Sequence, residues 1–449
     1  MSKEISATEF LARAAQSYSM YVCQNRAIPN VTDGLKSAQR IAAWVMKNRG
    51  KTKVSALSGA MIESNLYVHG MADGVISGLA GPYVNNVPLF VGDGNFGSLL
   101  SPNGFGAGRY TYVLKSKYLE TVMYADPSLY NMIPSVDGDN EICETFLPLV
   151  PHILLNGISG VAVGWSTEIL PHNLNDLIVA VRARLEGKKT KKLVPSFEAY
   201  PGITVEEIEN DRDDAASYQL SGTLTIKNTS TVEITSLPPG VSVETLQATL
   251  DKLEEDKKIT SYENHTTGEV NVIVKMPRNE FAGHTEKSLI KLFKITTRIT
   301  QRLVAVDFDG KKIRTFQDTD ALIDEWVAWR FSFFKRRYEL RAENLRKECN
   351  FLSAIIELHD DKFPSRISKF ESKAEMIRDI ESSITVQLSE EEISKIASLP
   401  SYRWVWEEYE KTRSLLSEKE GLYSHNIEIA ESEDLQKKEW ISELKSIKI

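Results

Sequence analysis

Apolar residues in the last third of the chain recur at alternating intervals of four and three, a pattern that restricts this region to long helices. Three runs follow it: Leu322, Trp326, Trp329 and Phe333; Leu345, Cys349, Leu352 and Ile356; and Val405, Tyr409, Thr412 and Leu416. Each run places its members on one helix face. Long apolar stripes separated by a shorter helical stretch favour an antiparallel coiled coil over residues 316–449, with an ordinary helical bundle as the alternative.

The composition is that of a chain with several globular domains and no membrane segment. Its 449 residues, of which 42% are hydrophobic and 26% charged, are sufficient for about two to four domains. The N-terminal sequence MSKEISATEF is too polar for a signal peptide, and no apolar run has the length of a membrane span. The three cysteines are widely spaced and odd in number, which favours a reducing compartment over a disulfide framework or a zinc site. We therefore expect a cytoplasmic protein.

Positive charge is concentrated at the start of a chain whose formal net charge is −8. Residues 1–60 contain nine Lys and Arg against three Asp and Glu, whereas acidic runs such as DRDD and SEEEISK come later. A local positive region binds phosphates whatever the overall balance. The region is a candidate nucleic-acid surface, although a chance accumulation of basic residues explains it equally well.

Two mixed regions precede the helical one. In the first, to about residue 160, a helix predicted between Asp33 as N-cap and Gly50 is followed by short helical stretches and then by glycine-punctuated strands, an order typical of a winged helix. In the second, residues 161–315, GTLTIKNTSTVEITSLPPG predicts a β-hairpin, SVETLQATLDKLEED an amphipathic helix and EVNVIVKM a further strand. The whole chain is thus expected to be an α+β protein of several domains.

The segment GFGAGRYTYV contains the strongest candidate for chemistry. Its glycines, which allow backbone to approach a ligand closely, stand directly before Arg109 and Tyr110. A phenol is a weak nucleophile near neutral pH because its ordinary pKa is about 10, but an adjacent guanidinium stabilises the phenolate and can bind phosphate oxygens. A covalent phosphotyrosine would conserve the energy of the broken ester. The other Arg-Tyr pair, Arg337–Tyr338, falls in a helical pattern and is interpreted as helix surface.

Other cations could surround the same phosphate. RAIPNVTDGLKSAQR supplies Arg26, Lys36 and Arg40, and YVHG supplies His69. Taken singly, each has an ordinary explanation as a solvated helix charge or a packed turn histidine. The sequence has no GxxxxGK[ST] nucleotide-binding loop. The acidic pairs in VDFDG and DTD are isolated, so we interpret them as solvated turns and assign no metal site to the chain.

Five motifs together resemble a known family. RAIPNVTDGLKSAQR, YVHG, GDGNFGS, GRYTYV and LLNGISGVAVGWSTEILPHNL are similar, in this order, to motifs of type IIA DNA topoisomerases, in the breakage–reunion subunits related to gyrase A and ParC. The resemblance extends from about residue 16 to the end and is weaker in the second half. The short length, without a C-terminal DNA-wrapping domain, is most similar to the medium-subunit branch found in T-even-type phages.

The resemblance implies both a fold and an activity. The fold would be a winged-helix DNA-cleavage domain in residues 1–160, an α/β tower domain in 161–315, and a long antiparallel coiled coil with a C-terminal dimerisation gate in 316–449. The chain would be the DNA-cleaving subunit of an ATP-dependent enzyme that breaks both strands through 5′-phosphotyrosyl links, passes a second duplex and religates. Two alternatives stay open: a non-catalytic winged-helix clamp, and a tyrosine recombinase-like transesterase that needs no divalent metal.

By resemblance, four residues would carry the chemistry. Tyr110 would be the nucleophile, and Arg109 would stabilise the charge beside it. Arg26 and His69 would contact the scissile phosphate or its neighbours.

Four further residues would contact DNA by the same resemblance. Lys36 and Arg40 would grip the backbone. Val161, in the place of the family's usual isoleucine, would wedge between base pairs and bend the duplex. Tyr67 stands where bacterial relatives have the first histidine of HPHG, and its hydroxyl could replace that phosphate contact.

The resemblance also implies cofactors and partners. The family requires an ATPase and a magnesium-binding Toprim domain, and no motif for either is present in this sequence. Mg²⁺ would then be held mainly by the Toprim domain of a partner protein, and ATP would be bound by a partner as well. This chain would form a homodimer on double-stranded DNA without membrane association, in the host cytoplasm if a phage encodes it.

Overall fold

The computed structural model describes residues 6–135, 137–210 and 215–448. The chain divides into two compact units: the residues up to Arg330 together with those from Glu443 onward form the first, and Phe331–Ser442 form the second. The first two regions expected from the sequence therefore fall in one unit. Their division into separate domains stays a prediction.

The N-terminal part of the first unit consists of helices followed by a small sheet. Its elements are α1 (Ala7–Val22), α2 (Ser37–Met46), β1 (Thr52–Lys53), α3 (Val54–Glu63), α4 (Asp73–Ala80), β2 (Phe90–Asp93) and β3 (Tyr112–Lys115). The strands form an antiparallel sheet in the order β1-β3-β2. Apolar side chains of α2, α3 and α4, such as Ile41, Leu57 and Ile76, are buried. Helices followed by a strand pair are the order that the sequence predicts for this region.

The ends of α2 differ from the prediction. Lys36, not Asp33, is the N-cap residue, and the helix ends at Met46 rather than near Gly50. The carboxylate of Asp33 is turned into the interior, where it binds the guanidinium of Arg40. A buried guanidinium requires an anionic partner, so Asp33 is not available to cap the helix.

The rest of the first unit is built mainly from antiparallel strands. Its elements in chain order are β4 (Met132–Pro134), β5 (Glu141–Cys143), α5 (His152–Leu155), β6 (Ile158–Ala162), β7 (Trp165–Ile169), α6 (Leu174–Leu185), β8 (Thr204–Ile208), β9 (Ala216–Ser221), β10 (Leu224–Asn228), β11 (Thr231–Ile234), α7 (Val243–Glu255), β12 (Ser261–Asn264), β13 (Val272–Lys275), α8 (Arg278–Phe281), α9 (Glu286–Leu292), β14 (Thr296–Gln301), β15 (Val304–Val306) and β16 (Ile313–Thr315). The pairs β4-β5, β6-β7 and β15-β16 and the sheet β14-β9-β8 accompany a further, four-stranded sheet.

That four-stranded sheet, in the order β10-β11-β13-β12, has a core of its own. Val232, Ile234 and Val274 from the strands are buried in one cluster with Leu250 of α7 and Phe293. The cluster forms because alternate strand residues and one stripe of the helix point to the same side. The predicted hairpin is β10-β11, the predicted helix is α7 and the predicted strand contains β13, so these three predictions are confirmed.

The second unit is helical. It contains the larger part of α10 (Thr319–Asp360), then α11 (Lys373–Ser383), α12 (Glu390–Ala397), α13 (Trp406–Glu431) and most of α14 (Glu433–Ser446). The hydroxyl of Tyr409 donates to Asp360 at 2.9 Å, and Lys419 pairs with Glu348 at 2.7 Å. The pairing partners run in opposite directions along the chain, so α10 and α13 are antiparallel. The knobs-into-holes geometry of a coiled coil stays a prediction.

Candidate functional site

Tyr110 closes a tight turn that is tied to a helix. Its backbone N–H donates to the carbonyl of Ala107 at 2.9 Å, and the carbonyl of Gly108 accepts from the N–H of Ser55 at 3.1 Å. Ser55 lies in the first turn of α3, where backbone N–H groups have no partner within the helix. The turn therefore caps α3, and the helix in return holds the turn in place.

The side chain of Tyr110 projects outward from this turn. It is 72% exposed, and within the part of the chain that the structure describes its hydroxyl has no hydrogen-bond partner. The guanidinium carbon of Arg109 lies 4.7 Å from the centre of the ring. A cation over the ring places positive charge close to the oxygen on which a phenolate would form.

Gly108 allows this turn to lie against α4. A Cβ atom on Gly108 would be 2.2 Å from Oδ2 of Asp73, the first residue of α4. The other carboxylate oxygen of Asp73 is buried and has no hydrogen-bond partner among the described residues. Asp73, Gly74 and Arg109 line a cavity of about 450 Å³, which we call the Arg109 cavity.

A second cavity brings together four of the predicted site residues. Arg26, Lys36, Tyr67 and His69 line a space of about 450 Å³, the His69 cavity. Arg26 is exposed on a π-helical turn that follows α1. The rings of Tyr67 and His69 meet edge to face, with centroids 5.7 Å apart. This grouping of cations and polar rings is suited to the oxygens of adjacent phosphates.

Val161 lies near the tip of the hairpin formed by β6 and β7. Its side chain is 83% exposed, and Val163 at the tip is 69% exposed. Together with Arg26 and Lys36 the two valines line a third space of about 380 Å³, the Val161 cavity. Apolar side chains that project beside cations have the form of a wedge that could enter a groove while its flanks hold the backbone.

The three cavities adjoin one another. Arg26 and Lys36 line both the Val161 cavity and the His69 cavity, and Gly74 lines both the His69 cavity and the Arg109 cavity. The wedge, the cations and the Arg109–Tyr110 turn therefore lie along one continuous surface of the first unit. Such a surface suits an extended ligand better than a small one.

Arg40 is not part of this surface, and its predicted contact with DNA needs correction. Arg40 is only 7% exposed, and its guanidinium donates to both carboxylate oxygens of Asp33, at 2.6 and 2.8 Å. A third donation, at 3.2 Å, goes to the carbonyl of Leu35. The guanidinium thus holds the segment before α2 through Nε and Nη2, and it is turned toward the interior rather than toward a phosphate.

Lys36 is half-buried at the border between two cavities. Its Nζ donates to the carbonyl of Ser159 at 2.7 Å. Burial lowers the pKa of the Lys36 ammonium, and the charge of Glu168 partly opposes this effect. Burial likewise raises the pKa of the Glu168 carboxyl, and Lys36 opposes that shift in turn.

The residues around the site that sequence reasoning missed are Asp73, Glu168 and Val163. No local pattern in the sequence connects Asp73 with Gly108 or Glu168 with Lys36, because each pair is joined only by the fold. Val163 could have been found, since it follows Val161 at the spacing that puts both on one face of a strand.

Side chains of the types that bind metal ions are not clustered in the described residues. Among them there is no group of three or more His, Cys, Asp or Glu side chains that could hold one. In the same part of the chain, no helix is both long and apolar enough to cross a membrane.

Comparison with known proteins identifies relatives along nearly the whole chain. Residues 26–445 match the family of the A subunits of DNA gyrase/topoisomerase IV. The chain is 30% identical over 361 residues to the DNA topoisomerase medium subunit of Enterobacteria phage T4, a match that covers 77% of this chain and 78% of that protein. It is 28% identical over 397 residues to the mitochondrial DNA topoisomerase 2 of Dictyostelium discoideum.

The eukaryotic relatives are much longer than this chain. The Dictyostelium match covers 85% of this chain but only 30% of the relative, and the DNA topoisomerase 2 of Penicillium chrysogenum is covered to 22%.

The fold has a solved counterpart. The crystal structure of the DNA-binding, cleavage and re-ligation domain of Plasmodium falciparum topoisomerase II superposes with a TM-score of 0.82 at 22% sequence identity, over 99% of this chain and 65% of that one. At this identity the likeness concerns the fold alone. The family match, by contrast, rests on the sequence itself, and with it the chain belongs to the family of DNA gyrase and topoisomerase IV A subunits.

Proposed function

We propose that this chain is the DNA-cleaving subunit of an ATP-dependent type IIA topoisomerase, acting on double-stranded DNA. The observation that carries the proposal is the placement of Tyr110. Its exposed phenol stands on a helix-braced turn, with the guanidinium of Arg109 over its ring, at one end of a surface lined by further cations. Membership of the family supports this activity, and the exposure of Tyr110 beside Arg109 supports these two residues as the ones that carry it.

The cleavage step is an exchange of one phosphate ester for another. The Tyr110 oxygen loses its proton and bonds to phosphorus while the bond from phosphorus to the 3′ oxygen breaks, and that oxygen takes up a proton and leaves as a hydroxyl. The 5′ phosphate is then linked to tyrosine, and the reverse exchange reseals the strand. Arg109 stabilises both the phenolate and the negative charge that grows on the phosphate oxygens.

The remaining site residues hold the duplex for this exchange. Arg26 and His69 contact the scissile phosphate or its neighbours, and the Tyr67 hydroxyl adds a further contact from the same cavity. Val161 enters between base pairs and bends the duplex, at a cost of a few kcal/mol in unstacking that is offset by added contacts. Because most contacts are to the backbone, binding should be weakly sequence-specific and strongly salt-dependent.

The other activities of such an enzyme require partners. Mg²⁺ and ATP are proposed to reside on a second protein that carries the Toprim and ATPase domains, since the described residues of this chain offer no metal-binding cluster. Two copies of this chain would cut opposite strands as a two-fold dimer in the cytoplasm. The antiparallel helices of the second unit are proposed to form the coiled coil and the dimerisation gate.

Replacing Tyr110 by phenylalanine tests the proposal, with Tyr112→Phe as a matched control that removes a hydroxyl two residues along the chain. The assembled enzyme is mixed with DNA and Mg²⁺, trapped with denaturant, and the DNA-linked peptide is mapped. We expect Tyr110→Phe to abolish covalent complexes without loss of DNA affinity, and Tyr112→Phe to change neither the complexes nor the affinity.

Two results would contradict the proposal. Linkage of DNA to a side chain other than Tyr110 would remove its basis, and strand passage by the Tyr110→Phe enzyme would show that another group breaks the strand. A wild-type enzyme that binds DNA but forms no covalent complex would instead be a non-catalytic clamp. Cleavage that persists after magnesium is chelated would favour the recombinase-like alternative.

A further inference from the structure

Lys36 lies beside the β6-β7 hairpin at one pair of opposed residues, Ser159 and Glu168. Its Nζ donates to the carbonyl of Ser159 on β6 at 2.7 Å. Ser159 is paired in register with Glu168 on β7, and the Glu168 carboxylate acts on Lys36 through its charge. The ammonium group is therefore hydrogen-bonded to β6, which carries Val161, and is attracted by the negative charge on β7.

The hairpin is also packed closely against the backbone beside Arg26. A Cβ atom on Gly160 would lie 2.1 Å from the carbonyl oxygen of Ala27 and 3.3 Å from Nζ of Lys36. Gly160 precedes Val161, and Ala27 follows Arg26. The base of the wedge therefore rests on the turn that presents Arg26, and Lys36 closes the contact from the side.

The ammonium of Lys36 is poorly placed for a role as a free phosphate contact. It is half-buried, and one of its three donors is already engaged by a backbone carbonyl. To bind a phosphate with all three donors it would have to break its hydrogen bond to Ser159. Arg26, which is exposed and lines the same two cavities, has no such constraint.

We propose that Lys36 is a positioning residue for DNA bending: it fixes the Val161 hairpin on the Arg26 turn, so that wedge and cation meet the duplex as one rigid body. The inference rests on the proposed function, and it changes the role expected for Lys36 from a grip on the DNA backbone to a strut. The Val161 side chain can bend DNA only if the hairpin that carries it resists displacement more strongly than the stacked base pairs resist separation.

The first test needs no DNA, so it is independent of the proposed function. Hydrogen exchange is measured on the full-length chain in the segment 158–169. Lys36→Met should speed the exchange of the hairpin amides about tenfold, since it removes a hydrogen bond from a charged group. Lys36→Arg, which keeps a charge and donors, should restore much of the protection, and Arg26→Gln is the control expected to leave it unchanged.

The second test uses the assembled enzyme on a duplex of about 30 base pairs with a fluorophore at each end. Lys36→Met should reduce the bending seen by energy transfer, while the dependence of log K on log salt keeps its slope. Arg26→Gln should instead reduce that slope by about one, as expected for a lost phosphate contact.

The outcomes separate the two roles. If Lys36→Met lowers the salt slope by about one and leaves hairpin exchange unchanged, Lys36 is a phosphate contact and the inference is overturned. If Lys36→Met fails to fold, the nearly isosteric variant Glu168→Gln takes its place. It should speed the exchange of the hairpin amides by less than tenfold, and an unchanged exchange rate would overturn the positioning role of Lys36. If the wild-type enzyme never links to DNA through Tyr110, the proposed function fails while the exchange result stands.

Discussion

The difference between a hydrogen atom and a methyl group at Gly108 decides where the Arg109–Tyr110 turn can lie. The position of a Cβ atom there is 2.2 Å from Oδ2 of Asp73 and 3.0 Å from a methyl carbon of Val54. Neither neighbour can easily give way, because Val54 is buried in α3 and one oxygen of Asp73 is enclosed. The proposed nucleophile, Tyr110, is therefore positioned by a residue that has no proposed part in the reaction.

Gly108→Ala is expected to lower the rate of DNA cleavage by about 10²-fold, because displacement of a reacting group by about 1 Å has an effect of that size. DNA affinity should be unchanged, since the cations of the His69 cavity are not moved. Covalent complexes and equilibrium binding, measured on the same preparation, check both statements.

Gly59→Ala is the control for this prediction, because a Cβ atom there, in the middle of α3, meets nothing within 4 Å. It should cleave DNA normally and gain up to about 1 kcal/mol in stability from helix propensity. Adding Asp73→Ala to Gly108→Ala should recover part of the activity. Normal cleavage by Gly108→Ala alone would mean that the turn can shift freely.

Two buried histidines should make stability depend on pH. Burial lowers the pKa of His152 and of His172 to about 4, from an ordinary value of 6.5. Between these values the unfolded chain binds a proton that the folded chain does not, so stability is fully present above about pH 6.5 and is lost as the pH falls to about 4. Each histidine contributes up to about 3 kcal/mol to this loss.

Urea unfolding midpoints at pH 7.5 and 5.5 measure the effect. His172→Leu should make the midpoint less sensitive to pH than in the wild type, because one of the two titrating groups is gone. His425→Gln, which replaces an exposed histidine, is the control variant measured beside it. An unchanged difference between the two pH values in His172→Leu would show that this histidine is accessible to protons in the folded chain.

At the scale of elements, the hairpin β6-β7 presents an exposed apolar side chain, Val161, near its tip. Single exposed apolar residues are common on protein surfaces, but Val161 and Val163 are exposed together and line a space with Arg26 and Lys36, an arrangement suited to a contact with DNA. The strength of such a contact should follow the size of the side chain.

Val161→Ile should increase the bending of a short labelled duplex, and Val161→Ala should decrease it, without a change in thermal stability. Energy transfer between the duplex ends gives the bend, and a melting curve gives the stability. Val179→Ala, at an exposed position on α6, is the control expected to change neither. Equal bending by all three side chains at position 161 would exclude a wedge.

Elements with a clear period could be predicted from the sequence, and contacts between distant segments could not. The hairpin β10-β11 and the helix α7 follow from alternation and from a 3.6-residue stripe, both of which are local signals. Asp33 has the sequence position of a helix cap, and nothing in the sequence marks Arg40 as its partner. The same limit applies to Asp73 beside Gly108, whereas the glycines next to Tyr110 are themselves the signal that singles it out.

At the scale of the whole molecule, the second unit has an apolar patch that a single chain leaves open. Tyr402, Val405 and Trp406 are 62%, 49% and 66% exposed where α13 begins. The ring of His359, near the end of α10, lies 6.2 Å from that of Trp406, so the patch is at the end of the antiparallel helix pair. Clustered exposed aromatic residues are typical of protein interfaces.

Under the proposed function, a second copy of this chain is the partner expected at the patch, because cutting both strands would need two nucleophiles and a two-fold dimer buries the same patch twice. Trp406→Lys should shift the full-length chain from dimer toward monomer in light scattering at micromolar concentration, since it would place two like charges in the interface. The substitution lies on the surface, so the helix content should stay the same. Val179→Lys adds the same charge on α6 and should remain dimeric. If Trp406→Lys is as dimeric as the wild type, the two copies meet through another surface, and the dimerisation gate must be sought elsewhere on the second unit.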